Sequence, residues 1–230
     1  MPGISRKLAK RYRVIRFDHR GHGLSSKPHN DAAYGANLAD DAIRLMDHLG
    51  IQKAHIVGYS MGGMISLTLL ARYPERLLSA APCACGWMLP DAANMALLKA
   101  LSESLDAGRS IKPLADKLRP PGQTHDDIPT WIVNHLIGWI NDQKALACVV
   151  RSWLDLMVTE DQLRANQVPV LSIAGTADPL KEGVDNMTGI LANHQPVSIE
   201  GTNHLTTILN RKFMASLLSF LTQHGETKKA

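Results

Sequence analysis

Three side chains have the types and the chain order needed for nucleophilic catalysis, and the first of them is a serine. Ser60 lies in the run G-Y-S-M-G at residues 58–62, after the apolar segment 54–57 and before a segment with helical periodicity. A serine hydroxyl is a poor nucleophile at neutral pH, so it needs a base, a group that orients the base, and donors for the developing oxyanion. A G-x-S-x-G run between a strand and a helix is typical of the sharp turn that exposes such a serine. Ser60 is the predicted nucleophile.

The base has to be chosen from ten histidines. His204 follows Ser60 in the chain and comes just after a predicted strand at 196–199. Sites in parallel sheets form at the carboxyl ends of the strands, which favours this position. His194 precedes the same strand and would lie at the wrong end of the sheet. His204 is the predicted base.

The acid is expected at the end of the preceding predicted strand, 168–174. Asp178 lies there, in the run A-G-T-A-D-P at residues 174–179. Pro179 biases Asp178 away from helical backbone angles, which suits a carboxylate on a loop. The chain order serine, aspartate, histidine is one of the known orders of a catalytic triad. Asp91, which follows an earlier predicted strand, is the alternative acid.

The elements that must position these residues alternate along the chain. Hydrophobic patterns predict five short strands, at 13–17, 53–57, 76–82, 168–174 and 196–199. Helices are predicted between and after them, at 38–49, 61–72 and 205–223. Alternating strands and helices indicate an α/β fold with a mostly parallel sheet and helices on both faces.

One long stretch breaks this alternation. Residues 86–167 carry helical patterns without a clear strand and contain all four tryptophans: Trp87, Trp131, Trp139 and Trp153. A helical insertion is predicted there, so that residues 1–85 and 168–230 form the core. We expect one or two of the tryptophans to face a substrate cleft and the others to pack within the insertion.

Composition limits the remaining classes of function. The 230 residues are 45% hydrophobic and carry a net charge of +4, without a dense basic block in the body of the chain, which argues against nucleic-acid binding. The cysteines are odd in number and lack zinc-site spacing, so we expect them to be reduced: Cys83, Cys85 and Cys148. No signal peptide or membrane-spanning run is recognisable, and a cytoplasmic protein is predicted.

The motifs together resemble a known family. The matching segments are 13–28 (R-V-I-R-F-D-H-R-G-H-G-L-S-S-K-P), 48–63 (H-L-G-I-Q-K-A-H-I-V-G-Y-S-M-G-G), 74–76, 173–178 and 201–204. In this order they resemble the α/β-hydrolase superfamily, in its branch of small esterases and enol-lactonases. The resemblance implies a helical lid at 86–167 over the sheet and the backbone N–H of Met61 as an oxyanion donor. A serine at position 60 disfavours the branches that use an aspartate nucleophile.

The sequence departs from the family at its start. Family members begin with three further strands, and the loop after the third supplies the second oxyanion N–H. Nothing in this sequence corresponds to them, so the second donor is expected to be absent and the chain to be an N-terminally incomplete enzyme; the alternative is a natural short variant. The missing strand would leave a gap beside 54–57. We expect either that 13–17 moves across to pair with 54–57, or that an apolar edge is left open to another chain.

The sequence therefore predicts a serine hydrolase that cleaves a carboxylic ester, lactone or related small acyl compound, with no metal or organic cofactor. Tyr59 and Trp87 are the candidates for substrate contact, whereas His22 and Ser25 are expected to hold the glycine-rich turn at 21–26. Two alternatives stay open: a weakly active or inactive protein of the same fold, and a C–C bond hydrolase, acyltransferase or cofactor-free perhydrolase. No nucleic-acid or membrane partner is expected, and a homo-oligomer would form through the open sheet edge.

Overall fold

Four parallel strands form the sheet at the centre of this computed structural model, which describes residues 2–87, 91–119 and 141–225. The strands lie side by side in chain order: β1 (Ala54–Tyr59), β2 (Leu77–Cys83), β3 (Val170–Gly175) and β4 (His194–Ile199). Tyr59 is level with Cys83, and Gly175 with Ile199, so neighbouring carboxyl ends reach the same edge. The predicted parallel α/β architecture is confirmed.

Helices cover both faces of the sheet. Their bounds are α1 (Pro2–Leu8), α2 (Asn37–His48), α3 (Met61–Arg72), α4 (Ala92–Asp106), α5 (Lys112–Lys117), α6 (Gln143–Arg151), α7 (Glu160–Ala165), α8 (Lys181–Asp185) and α9 (Arg211–Gln223). Short 3₁₀ turns lie at Asp31–Ala33, Pro74–Arg76, Ser152–Leu156 and Thr207–Leu209. The helix predicted at 205–223 begins only at Arg211, because the Asn210 side chain accepts the Lys212 N–H and caps it there.

The apolar residues form a separate core on each face. On one face, α3 packs against β1 and β2 and α2 packs on α3, with Leu38, Leu69 and Val170 buried in this core. On the other face, α9 packs Phe213 and Leu217 against the sheet. A third, smaller cluster joins α4 to α6 through residues such as Leu101, Leu105 and Val150.

The prediction of a strand at 13–17 is wrong. These residues run irregularly, and none of them makes a backbone–backbone hydrogen bond within the described part of the chain. Their apolar pattern favours a strand, but a strand needs a neighbour to pair with, and a cleft of about 1030 Å³ separates them from β1. Phe17 is 39% exposed on one wall of this cleft and Val57 is 41% exposed on the other. Of the two outcomes expected for the gap beside 54–57, the structure has the second, an open edge of β1.

Candidate active site

The turn between β1 and α3 places Ser60 in an unusual backbone conformation. Its φ is 55° and its ψ is −118°, a region that residues with a side chain seldom adopt. The turn is tied to the sheet because the Ser60 N–H donates to the Cys83 carbonyl at 2.9 Å. It is also tied to the helix, since the N–H groups of Gly63 and Met64 donate to the Ser60 carbonyl. The hydroxyl is thereby held at the carboxyl edge of the sheet.

The glycines of the turn serve different purposes. A Cβ on Gly58 would overlap the backbone carbonyl of Gly62 and lie 2.5 Å from Ser66 Oγ. A Cβ on Gly63 would lie 2.7 Å from the Cβ of Cys85, so α3 approaches the residues after β2 closely. A Cβ on Gly62 would meet nothing within 4 Å. Close packing therefore requires glycine at 58 and 63, but not at 62.

Ser60, His204 and Asp178 lie in one hydrogen-bonded series. His204 Nε2 is 3.0 Å from Ser60 Oγ, and His204 Nδ1 is 3.0 Å and 3.2 Å from the two carboxylate oxygens of Asp178. The histidine is 4% exposed and the aspartate 5%. The structure thus brings together the three residues that the sequence singled out, in the order serine, histidine and aspartate.

The loop after β3 carries Asp178, and the loop after β4 carries His204. Asp178 follows β3, and its Oδ1 also accepts the Leu180 N–H at 2.9 Å, which fixes the carboxylate. His204 follows β4 through a turn in which Thr202 bonds the Ile199 carbonyl. The alternative acid, Asp91, lies elsewhere, because its side chain accepts the Asn94 N–H and caps α4.

Tyr59 is not where the sequence placed it. Its side chain lines the cleft beside β1 rather than the cavity that Ser60 opens on. The hydroxyl donates to the backbone carbonyl of His204 at 2.6 Å, and the ring centroid lies 6.0 Å from that of Phe213. Burial raises the pKa of this phenol, so it stays a neutral donor. Tyr59 positions the histidine loop, a role that no local sequence signal indicates.

Ser60 opens on an apolar cavity of about 140 Å³, here called the Ser60 cavity. Met61 and Met64, which follow Ser60 on α3, form one part of its wall. Residues of the helical region form another part, among them Trp87, Leu98, Leu114 and Trp153. Trp87 lies at the cavity as predicted, and its Nε1–H donates to the Val158 carbonyl at 2.9 Å, which fixes the indole. Trp131 and Trp139 fall outside the described residues.

The glycine-rich loop is held by its own contacts. The Arg20 guanidinium donates two hydrogen bonds of 2.6 Å to the Asp41 carboxylate, and Ser25 Oγ donates to the Asp18 carbonyl. His22 Nδ1 lies 3.3 Å from the Arg20 carbonyl. Neither His22 nor Ser25 lines the Ser60 cavity. Their predicted structural role agrees with these contacts.

His19 belongs to this loop and was not singled out from the sequence. Its Nδ1 is buried without a hydrogen-bond partner among the described residues. Burial, aided by the nearby His22, lowers the pKa of His19 to about 4. A half-buried neutral imidazole therefore lies on the wall of the cleft beside β1.

Three further observations concern the described residues as a whole. No set of three or more histidine, cysteine, aspartate or glutamate side chains in them is placed to hold a metal ion. Nor is any described helix both long and apolar enough to cross a membrane. All three cysteines are free thiols and buried.

Comparison with known proteins identifies the superfamily. A family model described as the alpha/beta hydrolase fold matches residues 1–107, which include β1, Ser60 and β2. The chain also superimposes over its whole length on MGS-M2, an alpha/beta hydrolase enzyme from a deep-sea metagenome library, with a TM-score of 0.83 and 21% identity. This chain has the fold of the α/β-hydrolase superfamily. The match covers 86% of MGS-M2.

More similar members of the α/β-hydrolase superfamily carry names of hydrolases. RutD of Caulobacter sp. (strain K31), named as a carbamate hydrolase, is 40% identical over 84 residues, which are 36% of this chain and 31% of that protein. 3-Oxoadipate enol-lactonase 1 of Acinetobacter baylyi is 30% identical over 179 residues, 75% of this chain and 64% of the relative. The crystal structure of the Burkholderia xenovorans LB400 enol-lactonase matches with a TM-score of 0.77 and 25% identity, over 94% of this chain and 84% of that one. This α/β hydrolase thus aligns with less than two thirds of the length of either curated relative.

Proposed function

We propose that this α/β hydrolase cleaves a carboxylic ester, lactone or related small acyl compound through a covalent acyl-enzyme. The observation that carries the proposal is the series Ser60–His204–Asp178, which ends at an apolar cavity. The similarity to an enol-lactonase over three quarters of the chain supports an acyl substrate. The similarity to a carbamate hydrolase supports the same acyl chemistry.

The proposed reaction follows from the geometry. Ser60 Oγ attacks the substrate carbonyl while His204 Nε2 takes its proton, and Nδ1–H of the resulting imidazolium donates to Asp178. The imidazolium then gives its proton to the leaving alcohol, which departs and leaves the acyl group on Ser60. Water attacks the ester with His204 as base again, and the acid is released. This chemistry uses only protein groups and needs no cofactor.

The oxyanion is proposed to bind the backbone N–H of Met61. Met61 begins α3, and its N–H has no backbone acceptor among the described residues. A helix N-terminus also carries partial positive charge that stabilises an anion. The opposite flank of Ser60 is the open cleft, where Gly58 and Gly62 line the wall. One missing donor lowers the rate by about 10²–10³, so the cleft supports the second candidate, a weakly active hydrolase.

We also propose that residues 86–167 act as a lid on a core made of 1–85 and 168–230. The support is that α4 and α5 pack on each other and both contribute to the Ser60 cavity. The buried free thiols support a reducing compartment such as the cytoplasm.

The open edge of β1 supports a proposal that two copies associate there. Unpaired strand edges are templates for pairing with another chain. The flanking segment 2–17 is basic, with Arg13 and Arg16 on the cleft wall, so like charges of two copies would repel. Light scattering after size-exclusion chromatography is expected to show more dimer at high ionic strength, where this repulsion is screened. A monomer at every salt concentration would contradict the proposal.

Hydrolysis of p-nitrophenyl butyrate tests the proposed function. The wild-type protein is expected to release p-nitrophenol with a burst followed by a slower steady state, because the acyl-enzyme accumulates. Ser60→Ala is expected to abolish both phases, whereas Ser104→Ala, on α4, is expected to leave them unchanged. A folded wild-type protein without activity above the Ser60→Ala background would overturn the proposal.

A further inference from the structure

Lys117 is the charged residue on the described wall of the Ser60 cavity. The other polar residues of that wall are Ser60 itself and Asn94, and the remainder is apolar or glycine. Lys117 is the last residue of α5 and is exposed to solvent. A lysine in this position can lay its aliphatic stem on the apolar wall while its ammonium stays in the opening.

The cations on either side of Lys117 are already paired. Lys112 and Arg119 both bind the carboxylate of Asp116, at 2.5 Å each. The Lys117 ammonium, in contrast, makes no ion pair or hydrogen bond with any residue in the described ranges 2–87, 91–119 and 141–225. On the described wall of the cavity, Lys117 is therefore the one cation, and its charge is uncompensated by these residues.

The size of the cavity limits what lies between this cation and the nucleophile. A closed apolar cavity of about 150 Å³ holds a benzene molecule. The Ser60 cavity, at about 140 Å³, is of similar size. A substrate with its carbonyl at Ser60 would thus place a compact apolar group of about six heavy atoms in the cavity and its far end at the opening.

We propose that the substrate carries a carboxylate at the end remote from the reacting carbonyl, and that Lys117 binds it. This inference rests on the proposed function and narrows it to acyl compounds with a short apolar spacer and a terminal carboxylate. Lys117 is then a specificity-determining residue, and the net charge of +4 also favours the approach of an anion. The acyl chemistry itself needs no contribution from Lys117.

Two matched esters test the proposal in the full chain. p-Nitrophenyl valerate and the p-nitrophenyl monoester of glutaric acid have the same spacer, but only the second ends in a carboxylate. Lys117→Gln is expected to lower kcat/KM for the glutarate ester about tenfold, as the loss of one charge-assisted contact does, and to leave valerate unchanged. Lys117→Glu is expected to lower kcat/KM for the glutarate ester further, and Lys117→Arg is expected to keep it near the wild-type value. Lys99→Gln, a lid lysine away from the cavity wall, is the matched control.

A binding measurement separates this proposal from the proposed function. Isothermal titration of the Ser60→Ala protein with monomethyl glutarate is expected to show about tenfold weaker binding when Lys117→Gln is added. Equal affinity of the Ser60→Ala proteins with and without Lys117→Gln would overturn the role of Lys117. So would a ratio of kcat/KM for the glutarate ester to kcat/KM for the valerate ester that is the same in the wild-type protein and in every Lys117 variant. Absence of hydrolysis with the affinity difference intact would overturn only the proposed function.

Discussion

The two edges of β1 differ sharply, although one strand carries both. One edge pairs with β2 from Ala54 to Tyr59, and at its end the Ser60 N–H is bonded to Cys83. The other edge faces a cleft of about 1030 Å³. The paired side carries the other two catalytic candidates, since Asp178 and His204 follow β3 and β4. The comparison teaches that the strands carrying the candidate triad lie on one side of β1, whereas its other side has no neighbouring strand among the described residues.

The largest expected effect lies on the paired side, at Asp178. Asp178→Asn is expected to lower kcat about 10⁴-fold, because the amide no longer holds His204 in the tautomer that accepts the serine proton. Steady-state hydrolysis of p-nitrophenyl butyrate measures this loss, with thermal unfolding as the check on folding. Asp185→Asn, an exposed aspartate bound to Lys181 on α8, is the control and is expected to keep full activity.

Two phenylalanines compare the stability of the two sides directly. Phe213 is 1% exposed in the core under α9, and Phe17 is 39% exposed on the cleft wall. Phe213→Ala is expected to lower the free energy of unfolding by about 4 kcal/mol, as the loss of a buried ring does. Phe17→Ala is expected to lower it by about 1 kcal/mol or less. Urea denaturation measures both; equal losses would show that the cleft wall is as well packed as the core.

The two glycines that flank Ser60, Gly58 and Gly62, sharpen the comparison within the turn. Gly58→Ala is expected to lower the free energy of unfolding by about 3 kcal/mol, because the added methyl overlaps the Gly62 carbonyl. Gly62→Ala is expected to raise it by about 0.5–1 kcal/mol, since alanine favours the helix and meets no neighbour. Chemical denaturation of the two variants measures both changes in the free energy of unfolding. A Gly58→Ala protein as stable as the wild type would contradict the described packing.

A pH dependence is expected on the open side, from His19. Its pKa is about 4 in the folded chain, because burial opposes the charged form, and about 6.5 when unfolded. As the pH falls from 6.5 towards 4, only the unfolded chain takes up this proton, so stability is lost by at most about 3 kcal/mol. Above pH 6.5 the group has no effect.

Urea midpoints at pH 7 and pH 4.5 measure the contribution of His19. His19→Gln is expected to flatten the loss of stability between these two pH values. His48→Gln, an exposed histidine on α2, is expected to leave the loss as in the wild-type protein. An unchanged pH dependence in His19→Gln would show that this imidazole is solvated.

The sequence predicts the paired side well because its signals are local. The run at 58–62 lies between a strand and a helix, and Asp178 and His204 follow strands whose carboxyl ends must meet in a parallel sheet. The predicted strands at 53–57, 76–82, 168–174 and 196–199 all form, within two residues at each end.

The open side could not be predicted from such signals. The apolar pattern at 13–17 favours a strand, but pairing depends on a neighbour that the pattern does not specify. The sequence makes Tyr59 a candidate for substrate contact, yet alternation along β1 turns its side chain away from the Ser60 cavity and towards Phe213. Lys117 gives no local signal at all, because its position at the cavity depends on how α5 packs.

Active-site labelling tests the central claim, that Ser60 is an activated nucleophile, most directly. The folded wild-type protein is incubated with a fluorophosphonate, and intact-mass spectrometry with peptide mapping locates the adduct. We predict one adduct on Ser60, none in Ser60→Ala, and much slower labelling in Asp178→Asn. A folded wild-type protein that stays unlabelled, or that is labelled at another serine, would contradict the account.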